Sequence, residues 1–285
     1  MDQSKILIIG ANGQLGSALK LKYPDAQAVD KDELDIADRK QLGEFDWANV
    51  EIIINAAAYT NVDGAETSEG RKLAWLINAT SAGYLSKVAN EHDITLVHVS
   101  TEYVFDGRQK EHTEDEPLSP LGVYAQSKAA GDIAISTTSK HYLLRTSWLI
   151  GNGPNFIRTM IGLAEKGVSP KVVNDQIGRL TFTPTLVDAI DYLLIQKADY
   201  GVYNVSNDGP PASWAEVTRA IFGILNKKDL IVTDITTEEY FASKKDIAQR
   251  PLHSTFDLSK IKSIGFTPPN WQDNLVEYIS MENKK

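Results

Sequence analysis

Residues 5–16 read Lys-Ile-Leu-Ile-Ile-Gly-Ala-Asn-Gly-Gln-Leu-Gly. An apolar, β-branched run that stops on a glycine, with two more glycines at three-residue intervals, fits a buried strand, a sharp turn and a helix folded back on the strand. Gly10 lets the chain turn, Gly13 lets backbone approach a pyrophosphate, and Gly16 lets the helix lie close to the strand. The helix N-terminus then directs its free N–H groups at the phosphates. Twenty residues after Gly10, Asp30 ends the short apolar run Ala28-Val29, where an acceptor for adenosine ribose hydroxyls is expected. Lys31 beside it would suit a 2′-phosphate that Asp30 would repel, so NADPH and NADH both stand as candidate cofactors.

This opening repeats along the first 150 residues. Apolar runs at 5–9 (KILII), 51–55 (EIIIN), 94–100 (ITLVHVS) and 142–145 (YLLR) alternate with longer amphipathic stretches. That alternation predicts an α/β fold, a Rossmann-like doubly wound parallel sheet with helices on both faces. Leu73, Leu76, Ile77, Leu85 and Val88 recur near a 3.6 period, which predicts a helix over 70–90 covering the sheet, with Arg71, Lys72 and Lys87 on its outer face. After residue 150 the pattern loosens, and eight prolines, from Pro154 to Pro269, are expected to break the chain into short pieces. The expected organisation is a dinucleotide-binding domain over 1–150 and a smaller, less regular substrate lobe over 151–285, interleaved across one cleft and partly returning to the core. The charged end at 282–285 (ENKK) is expected to fray.

Composition removes several chemistries. The chain has no cysteine, so disulfides, thiolate catalysis and zinc–thiolate sites are excluded. Its five histidines are scattered, none four residues from another, so no protein metal site is expected. A net charge of −9 without clustered Lys and Arg argues against a nucleic-acid surface. No apolar run is long enough for a membrane span and the first residues do not read as a signal peptide, so a cytoplasmic protein is expected.

Tyr124 and Lys128 stand four residues apart in a good helix-forming stretch after Pro120, on one helical face. A phenol ionises near ~10, and lowering that by about three pH units takes roughly 4 kcal/mol of differential stabilisation. Lys128, a nicotinamide's positive charge and the helix N-terminus are expected to share that task. Spacing alone is weak, because 11 tyrosines and 21 lysines in 285 residues produce about one such pair by chance, and Tyr240 with Lys244 is another. Position separates the two: Tyr124 follows Thr101 by 23 residues, and Thr101 ends a predicted central strand, where open α/β sheets place their sites. Thr101 can hydrogen-bond a substrate carbonyl and share the charge that grows there during hydride transfer; Ser100 is the lesser substitute. Tyr240 reads as a solvated helix face.

These pieces, with ELDIAD (33–38), NAAAYTNVDGAE (55–66), INA (77–79), STEYVFDG (100–107), YAQSK (124–128), RTSWLIGNGPNF (145–156), VVNDQIG (172–178) and RPLHSTFD (250–257), are carried over nearly the whole chain. Together they make it resemble the extended short-chain dehydrogenase/reductases, and within them the dTDP-4-dehydrorhamnose reductase branch. The resemblance implies NAD(P)H-dependent reduction of the C4 keto group of dTDP-4-dehydro-L-rhamnose, a dTDP-sugar substrate as partner, and is compatible with a homodimer. It implies catalytic roles for Thr101, Tyr124 and Lys128, with Lys128 also on the nicotinamide ribose. It adds Gln14, Leu15, Asp35, Ile36, Ala57, Ala58, Tyr59 and Val99 as cofactor contacts and Glu102 and Trp148 as sugar contacts. Asn155 and Arg250 are candidates for holding the nucleotide end. Glu102 stands where the branch has Asp, and Leu180 where it has Pro. Two other readings stay open beside this one: a different nucleotide-sugar 4-ketoreductase, and a silent NADP-binding regulatory subunit.

Overall fold

The computed structural model describes residues 1–242 and 247–282; Lys244 and the tail from Asn283 lie outside them. The four apolar runs form β1 (Ile6–Ile9), β3 (Ile52–Asn55), β4 (Thr95–Thr101) and β5 (His141–Thr146), and Gln27–Val29 adds β2. A sixth strand, Gly201–Asn204, comes from the second half and pairs with β5. All six are parallel, in the order Gly201–Asn204, β5, β4, β3, β1, β2. Pleating sends Ile6 and Ile8 to one face and Leu7 and Ile9 to the other, and each pair lies in a separate apolar core. Both faces are therefore covered, which is why these strands read as continuous apolar runs rather than alternating ones. The strand order reverses at β1, with β2 on one side and β3 on the other, and that crevice is where such sheets take ligands.

Helix α1 (Gln14–Lys22) follows the glycine turn. Further helices are α2 (Arg39–Glu44), α3 (Ser68–Ala74), α4 (Ser81–Glu91) and α5 (Val123–Ile135). A π-helical segment, Trp75–Thr80, joins α3 to α4. The helical stretch read from the 3.6 period is present, but not all of its apolar residues are core. Leu85 and Val88 are buried, whereas Leu73 is 45% exposed and Leu76 38%. A π turn adds a residue to the turn and rotates the helix face, so the period cannot run unbroken from Leu73 to Val88.

The second half holds a core of its own. There α6 (Phe156–Glu165), α8 (Trp214–Ile224) and the helix Trp271–Glu282 pack through Ile157, Ile161, Ile221, Phe222, Leu275 and Ile279. Between them α7 (Thr183–Gln196) returns to the sheet, where Leu186, Ile190 and Leu193 share a core with Leu15 and Leu19 of α1. Pro184 sits in the first turn of α7, where a missing N–H costs nothing, so it starts a helix of 14 residues instead of breaking the chain. Tyr240 lies on the short helix Thr237–Phe241. No described helix is long and apolar enough to cross a membrane.

Candidate active site

The glycine turn is tight at both ends and open in the middle. Gly10 has φ +80°, and a Cβ there would lie 2.6 Å from the backbone N of Ala57, so this turn and the one after β3 touch backbone to backbone. A Cβ on Gly16 would fall 2.1 Å from the Gly10 carbonyl oxygen. At Gly13, the N-cap of α1, the nearest atom would be 3.4 Å away, which leaves room for a phosphate beside the helix N-terminus. Leu15 is buried in the core. The Gln14 Oε1 accepts from the Gly151 N–H at 2.9 Å, tying the turn to the second half.

Beside this turn lies a cleft of about 320 Å³. Gly10, Gly13, Asp30, Asp35, Ile36, Ala57 and Ala58 line it, together with Leu73, Leu76 and Ile77. The outward leucines that the period assigned to the core thus supply one apolar wall of this cleft. Asp30 accepts from the N–H groups of Asn12 and Lys31, both at 2.8 Å, and so fixes the glycine turn as well as facing the cleft. Asp35 accepts from the Ala37 N–H at 2.9 Å.

The loop after β3 is held from inside the protein. Asn55 accepts from the Ala57 N–H at 3.1 Å through Oδ1. Asn78, in the π segment, accepts from the Tyr59 N–H at 2.9 Å, and its Nδ2 donates to the Tyr59 carbonyl at 3.1 Å and to Ser127 Oγ at 3.0 Å. Ser127 lies on α5 between Tyr124 and Lys128, so one buried amide joins the cofactor-side loop to the helix carrying both candidates. π segments recur at functional positions for this reason, since they turn a side chain off the regular helix face.

Thr101 ends β4, and its hydroxyl donates to Glu102 Oε2 at 2.8 Å. Tyr124, in the first turn of α5, is buried and meets the Tyr103 ring edge-on at 5.6 Å. Burial, and after it the charge of Glu102, push the Tyr124 hydroxyl above the ordinary phenol range, with Thr101 opposing. Burial and Glu102 thus work against the lowering that Lys128, a nicotinamide's charge and the helix N-terminus are expected to share. The Lys128 Nζ donates to the Val99 carbonyl at 2.8 Å and lies 3.4 Å from His98 Nε2. Burial lowers Lys128 to about 8, with Asp132 opposing. Burial raises Glu102 to about 7. Below Lys128, Asp132 and Arg145 form a buried ion pair at 3.0 Å.

On the second half's side, Trp148 has φ +44° and stacks on Trp214 with ring centroids 3.6 Å apart. Arg250 pairs with Asp63 at 2.7 Å, donates to the Ala248 carbonyl at 2.8 Å and lies over Phe241. Asn155 is differently employed. It is the N-cap of α6, accepting from the Arg158 N–H at 3.0 Å while its Nδ2 donates to the Gly151 carbonyl at 2.9 Å and the Tyr278 hydroxyl at 2.8 Å. Its amide hydrogens are shared among the Gly151 and Gly153 carbonyls and the Tyr278 hydroxyl, which gives it a structural task at the head of α6. Leu180 is fully buried. Among the described residues, no cluster of His, Asp or Glu is placed to hold a metal ion.

Sequence reasoning passed over Asn55, Asn78, His98, Ser127, Asp132 and Arg145, all at most 4% exposed. The signal was a polar residue inside an otherwise apolar run, as in EIIIN, LVHVS and YLLR, because a buried polar group needs a partner.

Comparison with known proteins agrees with this geometry. The RmlD substrate binding domain family matches residues 4–283. The spore coat polysaccharide biosynthesis protein SpsK of Bacillus subtilis (strain 168) is 36% identical, over 97% of each chain. The dTDP-4-dehydrorhamnose reductase of Aggregatibacter actinomycetemcomitans is 37% identical, over 94% of this chain and 96% of its own. The crystal structure of dTDP-4-dehydrorhamnose reductase from Bacillus anthracis in complex with NADP superposes with a TM-score of 0.88 at 36% identity, covering 97% of this chain and 98% of that one. With the family matched across almost its whole length, the chain belongs to the RmlD substrate binding domain family.

Proposed function

We propose that the chain reduces the C4 keto group of dTDP-4-dehydro-L-rhamnose with NADPH or NADH, giving dTDP-L-rhamnose for cell-surface polysaccharide, and does so in the cytoplasm. The observation that carries this reading is the gathering of three buried residues, Thr101 at the carboxyl end of β4 and Tyr124 and Lys128 one turn apart on α5, which packs against that strand. Its similarity to reductases of that name supports the substrate.

The residues present fit a dinucleotide: an open Gly13 between two glycines that admit no side chain, and Asp30 on an adjoining cleft. In this reading Gly10, Gly13, Gln14, Leu15 and Gly16 hold the pyrophosphate, largely through backbone, and Asp30, Asp35 and Ile36 the adenosine. Ala57, Ala58, Tyr59 and Val99 form the floor, and Lys128 reaches the nicotinamide ribose. The bound dinucleotide supplies the hydride. Thr101 polarises the ketone, and Tyr124 donates a proton to the oxygen as charge develops on it. A phenol kept protonated by burial is the form such a donor requires. Residues 1–150 serve as the cofactor domain and 151–285 as the substrate lobe, with Glu102, Trp148 and Arg250 facing the sugar nucleotide.

The test is oxidation of NADPH and of NADH in the presence of enzymatically generated dTDP-4-dehydro-L-rhamnose, with the product identified by chromatography. Formation of dTDP-L-rhamnose is expected, while the 4-epimer would indicate a different 4-ketoreductase. Tyr124→Phe should lower turnover by roughly 10²–10⁴ with dinucleotide affinity nearly unchanged; a Phe variant with full activity would overturn the assignment.

A further inference from the structure

The donor and acceptor pattern behind Lys128 fixes a proton that the mechanism above does not use. The Ala57 N–H can only donate, so the Asn55 atom that meets it at 3.1 Å is the carbonyl oxygen. The other end of the same amide, Nδ2, carries hydrogens only and lies 3.0 Å from His98 Nδ1. Nδ1 must therefore offer its lone pair. His98 is 2% exposed, and burial together with the nearby Lys128 holds it well below the usual histidine range, so the ring is neutral. A neutral imidazole whose Nδ1 accepts carries its hydrogen on Nε2. That Nε2 is the atom 3.4 Å from Lys128 Nζ.

We propose that His98 is a positioning residue for Lys128: held by Asn55 as the Nε2–H tautomer, it presents a donor to the lysine nitrogen and so favours the free amine over the ammonium. The amine can satisfy both neighbours, donating to the Val99 carbonyl and accepting from His98, whereas the ammonium has no lone pair for the second. The other ionisable groups around Lys128 are few. Tyr124 and Asp132 share its helix, Arg145 on β5 is paired to Asp132, and Glu102 and Tyr103 stand in the turn after β4. The π segment brings Asn78 and no ionisable side chain, Glu66 accepts from the Val123 N–H, and Glu69, Lys72, Lys87 and Glu91 form exposed ion pairs on α3 and α4. None of these places a hydrogen-bonding atom on the face of Nζ that His98 occupies. The consequence for the proposed reaction, on which this inference rests for its catalytic meaning, is that the positive charge Lys128 brings to the nicotinamide ribose is lost on the alkaline side at a pH set by the Asn55–His98 pair.

The experiment reads the tautomer directly in the full-length protein without cofactor. Nitrogen-15 imidazole spectra, with the His98 signals identified by their loss in His98→Gln, should show a neutral ring with an unprotonated Nδ1. A proton on Nδ1, or an imidazolium, at neutral pH overturns the proposal. In Asn55→Asp one carboxylate oxygen still accepts from Ala57 while the other accepts from Nδ1–H, which turns the Nε2 lone pair toward Lys128. That variant should invert the tautomer and move the titration of Lys128, followed by carbon-13 at its Cε, upward by about one pH unit or more. An inverted tautomer with an unmoved lysine overturns the proposal too. If the variant does not fold, the wild-type spectrum still decides. None of these readouts needs turnover, so a wrong substrate leaves them unchanged.

Discussion

The two halves of the molecule bury polar groups for different ends. Under the sheet's carboxyl edge, Asn55, His98, Lys128, Asp132 and Arg145 sit in contact, at most 4% exposed, with an ion pair and two neutral amide or imidazole groups sharing one column. In the second half the buried or half-buried polar groups end helices and bind loops. Asn155 caps α6, Ser213 and Glu216 form a capping box on α8, and Asn207 holds Phe182, Pro269 and Asn274. At the dinucleotide turn Gly10 and Gly16 admit no Cβ, while Gly162 in α6 has open space around it. The first half thus gathers buried polar groups at the proposed site, and the second places them at helix ends and loop junctions.

The sharpest way to break that contrast is to remove one partner from the column. Asp132→Ala leaves Arg145 buried beside apolar neighbours, and chemical denaturation should show a loss of about 3–5 kcal/mol. Lys128→Met should act in the opposite direction. The unfolded lysine keeps its proton up to about 10.5 and the folded one releases it at about 8, so folding is penalised fully below pH 8 and the penalty fades as pH rises from 8 to 10.5. The Met variant should therefore be inactive yet more stable at pH 7, by something of order 3 kcal/mol, with the gain shrinking toward pH 10.5. Melting curves across pH would check both sign and window.

Smaller effects compare the halves through single methyl groups. Gly16→Ala forces a Cβ against backbone and should cost about 1–3 kcal/mol together with dinucleotide affinity. Gly162→Ala, at an open position inside α6, should stabilise by about 0.5–1 kcal/mol. Asn155→Ala should lose about 1 kcal/mol of stability and leave kcat/KM for the sugar nucleotide essentially intact; a selective rise in KM would return Asn155 to the substrate site.

Much of the fold was legible because its strands are buried on both faces, and a run such as Leu7, Ile8 and Ile9 needs no partner to be recognised. The sixth strand was not, because Gly-Val-Tyr-Asn is short and earns its place only by pairing with β5. The 70–90 helix was legible as a helix but not in its facing, since the π turn is invisible to a fixed period. Tyr124 and Lys128 could be picked out by position, but the direction in which Tyr124 is shifted could not. It depends on how deeply both side chains are buried and on Glu102, whose neighbour in sequence is also its neighbour in space. The capping task of Asn155 was not legible, because its partners Gly151 and Tyr278 are 4 and 123 residues away.

The strand Gly201–Asn204 also bears on how the chain is made. Until it is synthesised, β5 is an open sheet edge with unpaired backbone groups, and α7 has yet to cover the face on which Leu15 and Leu19 lie. A nascent chain cut at residue 150 would carry the dinucleotide turn and the Tyr124–Lys128 pair complete, and still present an adhesive edge to its neighbours. The cofactor half is thus finished late, by residues that lie beyond it in the chain.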